Sequence, residues 1–145
     1  MTTGLERIAT KAKTEPELKF NNIAHHITAE LLGKSLKTIP LNSASGVDKL
    51  SVEESRLGFA KWSENCIKSI HNRGYHPSPV RRVYIPKPGK DEKRPIGVPT
   101  VYDRTLQRAT AQVLESIYEQ DFLPCSYGGR PARNAHQAVS KLKCT

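Results

Sequence analysis

The sequence predicts an α+β fold in which helices at both ends flank a basic β-hairpin. Apolar residues recur at helical spacing near the start of the chain (Ile23, Ile27, Leu31) and again after residue 103. Residues 80–86 instead alternate β-branched and polar side chains, which is typical of a short strand. A turn rich in Pro, Gly and charge, residues 87–93, leads to a second apolar run at 96–98. These two runs predict the hairpin.

Local signals mark the ends of the first two predicted helices. The first spans about residues 21–38 and ends before Pro40. The second begins at Ser51, because Ser51 and Glu54 have the spacing of a capping box. Gly74 then supplies a left-handed C-terminal cap.

Two more helices are predicted after the hairpin. Asp103 is expected to cap the third, whose apolar residues follow amphipathic spacing. These are Leu106, Ala109, Thr110, Val113, Leu114 and Ile117. The fourth begins near Asn134 and still runs at Thr145, so the chain is expected to be part of something larger. Its inward residues are expected to be Ala135, Ala138, Val139 and Leu142.

Composition favours a globular protein with a polyanionic partner. The 145 residues allow one ordinary domain, and a hydrophobic fraction of 37% argues against disorder. No apolar run approaches the roughly 20 residues of a membrane span, so no membrane association is expected. Lys and Arg number 23 against 14 acidic residues, a net charge of +9. Such a balance favours binding to RNA or DNA, although lysine kept for solubility gives the same count.

The sequence predicts no metal site and no disulfide framework. Cys66, Cys125 and Cys144 are far apart, and none forms a CxxC or CxxH pair.

Positive charge is densest in the hairpin region. Residues 68–94 hold eight basic residues against two acids, and such a cluster can neutralise a phosphate backbone. The basic residues are Lys68, Arg73, Arg81, Arg82, Lys87, Lys90, Lys93 and Arg94. A hairpin edge kept soluble by lysine is the alternative explanation.

Residues 81–88 (Arg-Arg-Val-Tyr-Ile-Pro-Lys-Pro) and 94–104 (Arg-Pro-Ile-Gly-Val-Pro-Thr-Val-Tyr-Asp-Arg) strongly resemble the fingers motif of group II intron reverse transcriptases. The resemblance continues through the Ser-Tyr-Gly-Gly-Arg-Pro-Ala-Arg-Asn stretch at 126–134. Residues 45–48 (Ser-Gly-Val-Asp) are similar to the motif that precedes the fingers in that family. Several ordered motifs therefore cover about residues 20–140.

The resemblance implies three segments and a set of binding residues. The segments are a flexible N-terminal stretch (1–20), a helical extension (21–74) and an incomplete fingers subdomain of a right-hand polymerase (75–145). In the family, cations at the positions of Lys87 and Arg94 contact the triphosphate of the incoming nucleotide. Weaker candidates for RNA contacts, or for structural pairing, are Arg81, Arg82, Arg104, Arg130 and Arg133. Arg104, for instance, could bond Glu115 or a carbonyl instead.

Two residues depart from the family pattern in the 126–134 stretch. Gly129 replaces an aromatic residue, which removes an apolar anchor, and Ala132 replaces a glycine. The second change is harmless only if the φ angle at Ala132 is negative.

The polymerase aspartates of the family are not found. Asp48, Asp91, Asp103 and Asp121 fall in turns or at a helix cap, and none lies on a palm-like strand. Two-metal phosphoryl transfer needs such carboxylates. We therefore expect no catalytic residue here, Mg²⁺ only in the complete family enzyme, and no polymerisation by this chain alone.

The implied parent activity is RNA-directed DNA synthesis coupled to intron splicing and mobility. Its partners would be intron or template–primer RNA and, in the complete enzyme, dNTP. A non-catalytic, RNA-binding, maturase-like splicing factor is the alternative, and the product of a pseudogene is a third. The implied location is the bacterial cytoplasm or an organelle, mitochondrion or plastid. The oligomeric state stays open.

Overall fold

The computed structural model describes residues 4–89 and 91–143. Within these ranges the chain forms six α-helices and one two-stranded antiparallel sheet, which confirms the predicted α+β class. The helices are α1 (Gly4–Thr14), α2 (Ala29–Lys37), α3 (Val52–Leu57), α4 (Phe59–His71), α5 (Val101–Tyr118) and α6 (Ala135–Lys143). The strands are β1 (Arg81–Pro86) and β2 (Lys93–Val98), as the hairpin prediction requires. Across the described residues, no helix has both the length and the apolar character needed to cross a membrane.

The chain divides into two compact units, described separately below. Residues 22–111 form one unit, and residues 1–21 together with 112–145 form the other. The three predicted segments have different boundaries and stay a prediction. Helix α1 lies in the segment predicted to be flexible, where the sequence offers only a weak periodic signal, Ile8 and Ala12, both of them buried.

The core of the 22–111 unit lies next to the base of the hairpin. Leu36, Ile39, Val52 and Val101 form a buried cluster, and Phe59 packs against it. Val101 is only three residues beyond the end of β2 at Val98. Because this core holds the start of α5, it fixes the place where the second strand leaves the hairpin.

The first predicted helix begins later than expected. Residues Ala24–His26 form a single 3-10 turn, and α2 starts at Ala29. Thr28 defines this start, because its side-chain oxygen accepts a hydrogen bond from the Leu31 N–H at 3.2 Å. The prediction of a helix from residue 21 is therefore wrong, whereas its end near residue 38 is confirmed.

The second predicted helix is two helices separated at Gly58. The Ser51 capping box is confirmed, with Ser51 and Glu54 each accepting from the other's backbone N–H. In a continuous helix the Ser55 carbonyl would accept from the Phe59 N–H, but here it accepts from the Tyr102 hydroxyl at 3.1 Å. A Cβ at Gly58 would lie 2.7 Å from that hydroxyl. The contact with α5 thus explains both the break and the glycine.

The left-handed residue after α4 is Arg73, at φ +53°, and not Gly74 as predicted. The Gly74 N–H donates to the Ser69 carbonyl at 2.8 Å, and the Arg73 N–H donates to Ile70 at 3.1 Å. This is a Schellman-type end displaced by one residue from the glycine.

Helix α5 is capped by Thr100 rather than by Asp103. The Asp103 N–H donates to the Thr100 hydroxyl oxygen at 3.1 Å, so Asp103 lies inside the first turn. Two of the predicted inward residues, Ala109 and Val113, are buried, and the other four are partly buried.

Helix α6 begins as predicted but does not bury the expected face. Asn134 and Gln137 form a reciprocal cap, each side chain accepting from the other's N–H. Ala135, Val139 and Leu142 are nevertheless exposed, and Ala138 is only partly buried. Residues 144 and 145, where the helix was expected to continue, lie outside the described residues.

Candidate nucleic-acid interface

The register of the hairpin determines which side chains share a face. Ile85 lies opposite Arg94, Val83 opposite Ile96, and Arg81 opposite Val98. Side chains alternate along a strand, so these six residues share one face. The other face carries Arg82, Tyr84 and Pro86, opposite Gly97, Pro95 and Lys93.

The predicted phosphate-binding residues Lys87 and Arg94 lie on the same face. The Lys87 N–H donates to the Glu92 carbonyl at 2.9 Å, which continues the ladder by one pair beyond β1. Lys87 is therefore on the face of Ile85 and diagonal to Arg94. Diagonal neighbours in an antiparallel pair lie about 7–8 Å apart, within reach of long side chains.

The side chains of these two cations have different surroundings. The Lys87 ammonium forms an ion pair with the Glu92 carboxylate, and the Lys87 side chain is 31% exposed. The Arg94 side chain is exposed, and its guanidinium makes no hydrogen bond or ion pair within the part of the chain that the structure describes; the same holds for the Arg82 guanidinium. Lys90, at the turn, lies outside the described residues.

At the base of the hairpin two arginines bind backbone instead. Arg81 donates through Nε and Nη2 to the Ser45 carbonyl, at 3.1 and 2.8 Å. Arg104 donates to the Ser43 hydroxyl at 2.5 Å and to the Ala44 carbonyl at 2.6 Å. Residues 43–46, which we call the 43–46 loop, are thus held by two guanidinium groups.

Close packing also fixes this loop. A Cβ at Gly46 would lie 2.5 Å from the Thr100 Cα, so only glycine fits there without a backbone shift. Burial lowers the pKa of Arg104, and the nearby charge of Arg108 lowers it further, against the opposing effect of Asp48. The sequence left open whether Arg104 bonds a carbonyl. The structure shows such a bond, to the carbonyl of Ala44.

Asp103 joins the hairpin to α5, a role that the sequence did not reveal. Its carboxylate accepts from the Tyr75 hydroxyl at 2.5 Å, the Ser78 N–H at 3.2 Å and the Thr100 hydroxyl at 2.6 Å. The residue is only 4% exposed. Tyr75 and Ser78 lie in the segment that enters β1, so these bonds hold the start of the first strand. Sequence spacing suggested a helix cap but not these two partners, which are 28 and 25 residues away.

The same carboxylate affects two neighbouring groups. Burial raises the pKa of the Cys66 thiol to about 11, and the charge of Asp103 adds to the shift. The pKa of Tyr75 is raised by burial first and by its bond to Asp103 second. Both groups therefore stay protonated at neutral pH. Within the described residues Cys66 and Cys125 are free thiols; Cys144 lies outside them.

Arg130, in the other unit, uses its guanidinium internally. It donates to Glu119 Oε1 at 2.6 and 3.0 Å and to the Leu123 and Ser126 carbonyls at 2.9 and 3.1 Å. Its side chain is 6% exposed, and its guanidinium lies 5.0 Å from the centre of the Phe122 ring. The bond from Arg130 lowers the pKa of Glu119. Arg133 donates to the Pro124 carbonyl at 3.0 Å and lies over the Tyr127 ring.

The two family departures have different structural consequences. Gly129 has φ +69°, a conformation that glycine adopts without strain and an aromatic residue would not. Ala132 has φ +56°, so the condition for a harmless replacement is not met and the alanine is strained.

The described residues do not supply a metal site. Among residues 4–89 and 91–143, no three His, Cys, Asp or Glu side chains come together in a way that could hold a metal ion. These residues do not fit Mg²⁺, and the Mg²⁺ dependence of the complete enzyme stays a prediction.

No family model matches the chain. Several individual proteins are nevertheless similar to it. Protein YkfC of Escherichia coli is 35% identical over 142 residues, 94% of this chain and 37% of the relative. Group II intron-encoded protein LtrA of Lactococcus lactis is 44% identical over 93 residues, 63% of this chain and 16% of the relative.

A third relative, like LtrA, has a name that refers to an intron. An uncharacterized 91 kDa protein in a cob intron of Schizosaccharomyces pombe is 33% identical over 79 residues, 54% of this chain and 10% of the relative. The chain thus spans a little over a third of one relative and much less of the other two. The run of motifs agrees with these matches, which support a relationship of this chain to group II intron-encoded proteins.

Proposed function

We propose that this chain forms the fingers region of a group II intron-encoded reverse transcriptase and binds phosphate groups through the tip of its hairpin. The observation that carries the proposal is the shared face of Lys87 and Arg94. Two cations on one face can hold adjacent phosphates of one ligand, and charge-assisted bonds of this kind are stronger than neutral ones.

The same face provides apolar contacts beside the cations. Two isoleucines are exposed there: Ile85, directly opposite Arg94, and Ile96, the next residue of β2 on this face toward the base of the hairpin. A nucleotide combines a polyanion with a flat, partly apolar base. A face with both characters fits a nucleotide better than a purely charged edge does, and this supports ligand binding over simple solubility.

The five predicted RNA-binding arginines fall into two groups in this proposal. The Arg82 guanidinium is exposed and without a described partner, and the Arg133 guanidinium makes only one described hydrogen bond, so we assign both to RNA contacts. Arg81, Arg104 and Arg130 donate to carbonyls and carboxylates of the chain itself. We assign these three to holding loops in place, because each guanidinium already bonds at least one oxygen of the chain itself.

The activity of the whole protein is part of the proposal. We infer RNA-directed DNA synthesis that depends on Mg²⁺ held by carboxylates other than those described here, with intron RNA and template–primer as partners and dNTP as substrate. The name of the Lactococcus relative, a group II intron-encoded protein, supports the intron RNA as partner.

Titration with single-stranded RNA at several salt concentrations tests the proposal. The logarithm of the affinity should fall linearly with the logarithm of salt, by about 0.7 per phosphate neutralised. The double variant Lys87→Ala/Arg94→Ala should reduce this slope by about 1.4, because two contacts are lost. A second titration with dATP should lose affinity in the same variant.

The matched control is Lys13→Ala/Lys61→Ala, which removes the same charge from exposed positions on α1 and α4. The control should leave the slope within about 0.3 of the unchanged chain, because non-contacting charges release few counterions. Equal slopes for both double variants would refute the hairpin as the binding site. RNA binding with no dATP binding would instead favour the non-catalytic splicing factor.

A further inference from the structure

The acidic residue Glu92 lies directly across the hairpin turn from Lys87. Its carbonyl accepts the Lys87 N–H at 2.9 Å, and its carboxylate contacts the Lys87 ammonium. The Glu92 side chain is 67% exposed, about twice as exposed as that of Lys87. The ammonium that should meet a phosphate is thus already bound to a carboxylate of the same turn.

We propose that Glu92 is a specificity-determining residue, which occupies Lys87 in the absence of ligand and is displaced by the phosphate groups of a polyphosphate. The inference rests on the proposed function, because it concerns the same face of the hairpin. It adds a competitor that neither the motif resemblance nor the relatives identify.

The competition follows from the geometry of the pair. The carboxylate and a phosphate are both anions, and repulsion between them disfavours the binding of both at the one Lys87 ammonium. The backbone bond between residues 87 and 92 keeps the two side chains opposite each other whichever anion is bound. Displacing Glu92 therefore costs the ion pair alone and needs no change in the fold of the hairpin.

The size of the effect is set by the exposure of the pair. Exposed ion pairs contribute at most about 1 kcal/mol, which corresponds to about a five-fold change in affinity. A single phosphate offers one charge to replace the carboxylate, whereas a triphosphate reaches Lys87 and Arg94 together. The cost of displacing Glu92 is the same for both ligands, so a ligand that also reaches Arg94 retains useful affinity where a weakly bound monophosphate does not, and this threshold is the proposed function of Glu92.

Glu92→Gln removes the competing charge and keeps the length of the side chain and the backbone acceptor. Binding of inorganic triphosphate, measured by calorimetry on the 145-residue chain in low salt, should strengthen by about two- to five-fold. Inorganic phosphate should gain by a similar factor, because either ligand breaks the same ion pair. A single-stranded RNA, titrated separately, distinguishes a backbone phosphate from a nucleotide triphosphate as the displacing group.

The matched control is Glu64→Gln, which changes the charge equally and breaks the Lys68–Glu64 pair at 2.6 Å on α4. It should change the affinity for either phosphate by less than about 1.5-fold, because the lysine it frees is not on the hairpin. In a Lys87→Ala background the gain from Glu92→Gln should fall to that of the control.

The outcomes separate the two proposals. If Lys87→Ala weakens binding but Glu92→Gln and Glu64→Gln behave alike, the competitor role is overturned and the proposed function stands. If Lys87→Ala changes no affinity, both are overturned. If Glu92→Gln still strengthens phosphate binding in the Lys87→Ala background, the inference is also overturned. The effect would then come from removing a negative charge near the ligand and not from freeing Lys87. Far-ultraviolet circular dichroism establishes that each variant is folded.

Discussion

The base and the tip of the hairpin carry the same kinds of basic side chain but use them differently. At the base, Arg81 and Arg104 donate to the carbonyls of Ser45 and Ala44. Toward the tip, the Arg94 guanidinium has no described partner and the Lys87 ammonium pairs only with an exposed carboxylate. The difference shows that a cluster of basic residues in the sequence need not form one binding site. Where backbone carbonyls lie nearby, some of the cations bond to them and are not available to a ligand.

In residues 119–133 of the other unit, arginine donors also bond to oxygens of the chain itself, as they do at the base of the hairpin. Arg130 makes four hydrogen bonds with Glu119 and two carbonyls and is almost fully buried. An arginine is suited to this role because its planar donors can bond several oxygens at once. A basic residue within a family motif can therefore serve the shape of the motif without touching nucleic acid.

The largest effect is expected at Asp103, the residue that anchors the base. Asp103→Asn keeps the shape of the side chain but turns one acceptor oxygen into a donor facing hydroxyl and N–H groups. At least one buried donor then loses its partner. We expect a loss of about 2–3 kcal/mol in the free energy of unfolding. Urea unfolding followed by circular dichroism measures it.

The exposed Asp91 in the hairpin turn is the control for this substitution. Asp91→Asn should change the free energy of unfolding by less than about 0.5 kcal/mol. Similar values for the two variants would show that the base is no better anchored than the tip.

The sequence predicted the class of the fold, the hairpin, the capping box at Ser51 and the start of α6 near Asn134, because each depends on neighbours in the chain. It failed for the second helix because a distant group intervenes. The Tyr102 hydroxyl takes the Ser55 carbonyl and splits a predicted helix, although the two residues are 47 positions apart. For the candidate site, the motif predicted Lys87 and Arg94; the register places them on one face, and their binding of phosphate stays a prediction.

The carbonyl partners of Arg81 and Arg104 could not be predicted in the same way. They lie 36 and 60 residues away, in a loop whose course depends on the packing of Gly46 against Thr100. Glu92 could have been found, because pairing the two strands of the hairpin places it opposite Lys87.

The smallest effect is expected at Ala132, and it extends the comparison to the other unit. Ala132→Gly relieves the strain of φ +56°. The greater freedom of glycine in the unfolded chain offsets part of that gain, and we expect about 0.5–1 kcal/mol of added stability. Ala138→Gly, inside α6, should have the opposite sign and cost about 0.5–1 kcal/mol. Thermal unfolding of both variants measures the difference, and a loss at both positions would show that the backbone at Ala132 is unstrained.

The central claim is that arginines at the base of the hairpin stabilise the fold, whereas those toward the tip bind phosphate. Comparing Arg81→Ala with Arg94→Ala in two assays on the same preparations tests it most directly. Arg81→Ala should lower the free energy of unfolding by about 1–2 kcal/mol and leave the salt dependence of RNA binding unchanged. Arg94→Ala should leave the free energy of unfolding within about 0.5 kcal/mol and reduce the salt slope by about 0.7. The opposite pattern, or equal effects of the two variants in both assays, would contradict the claim.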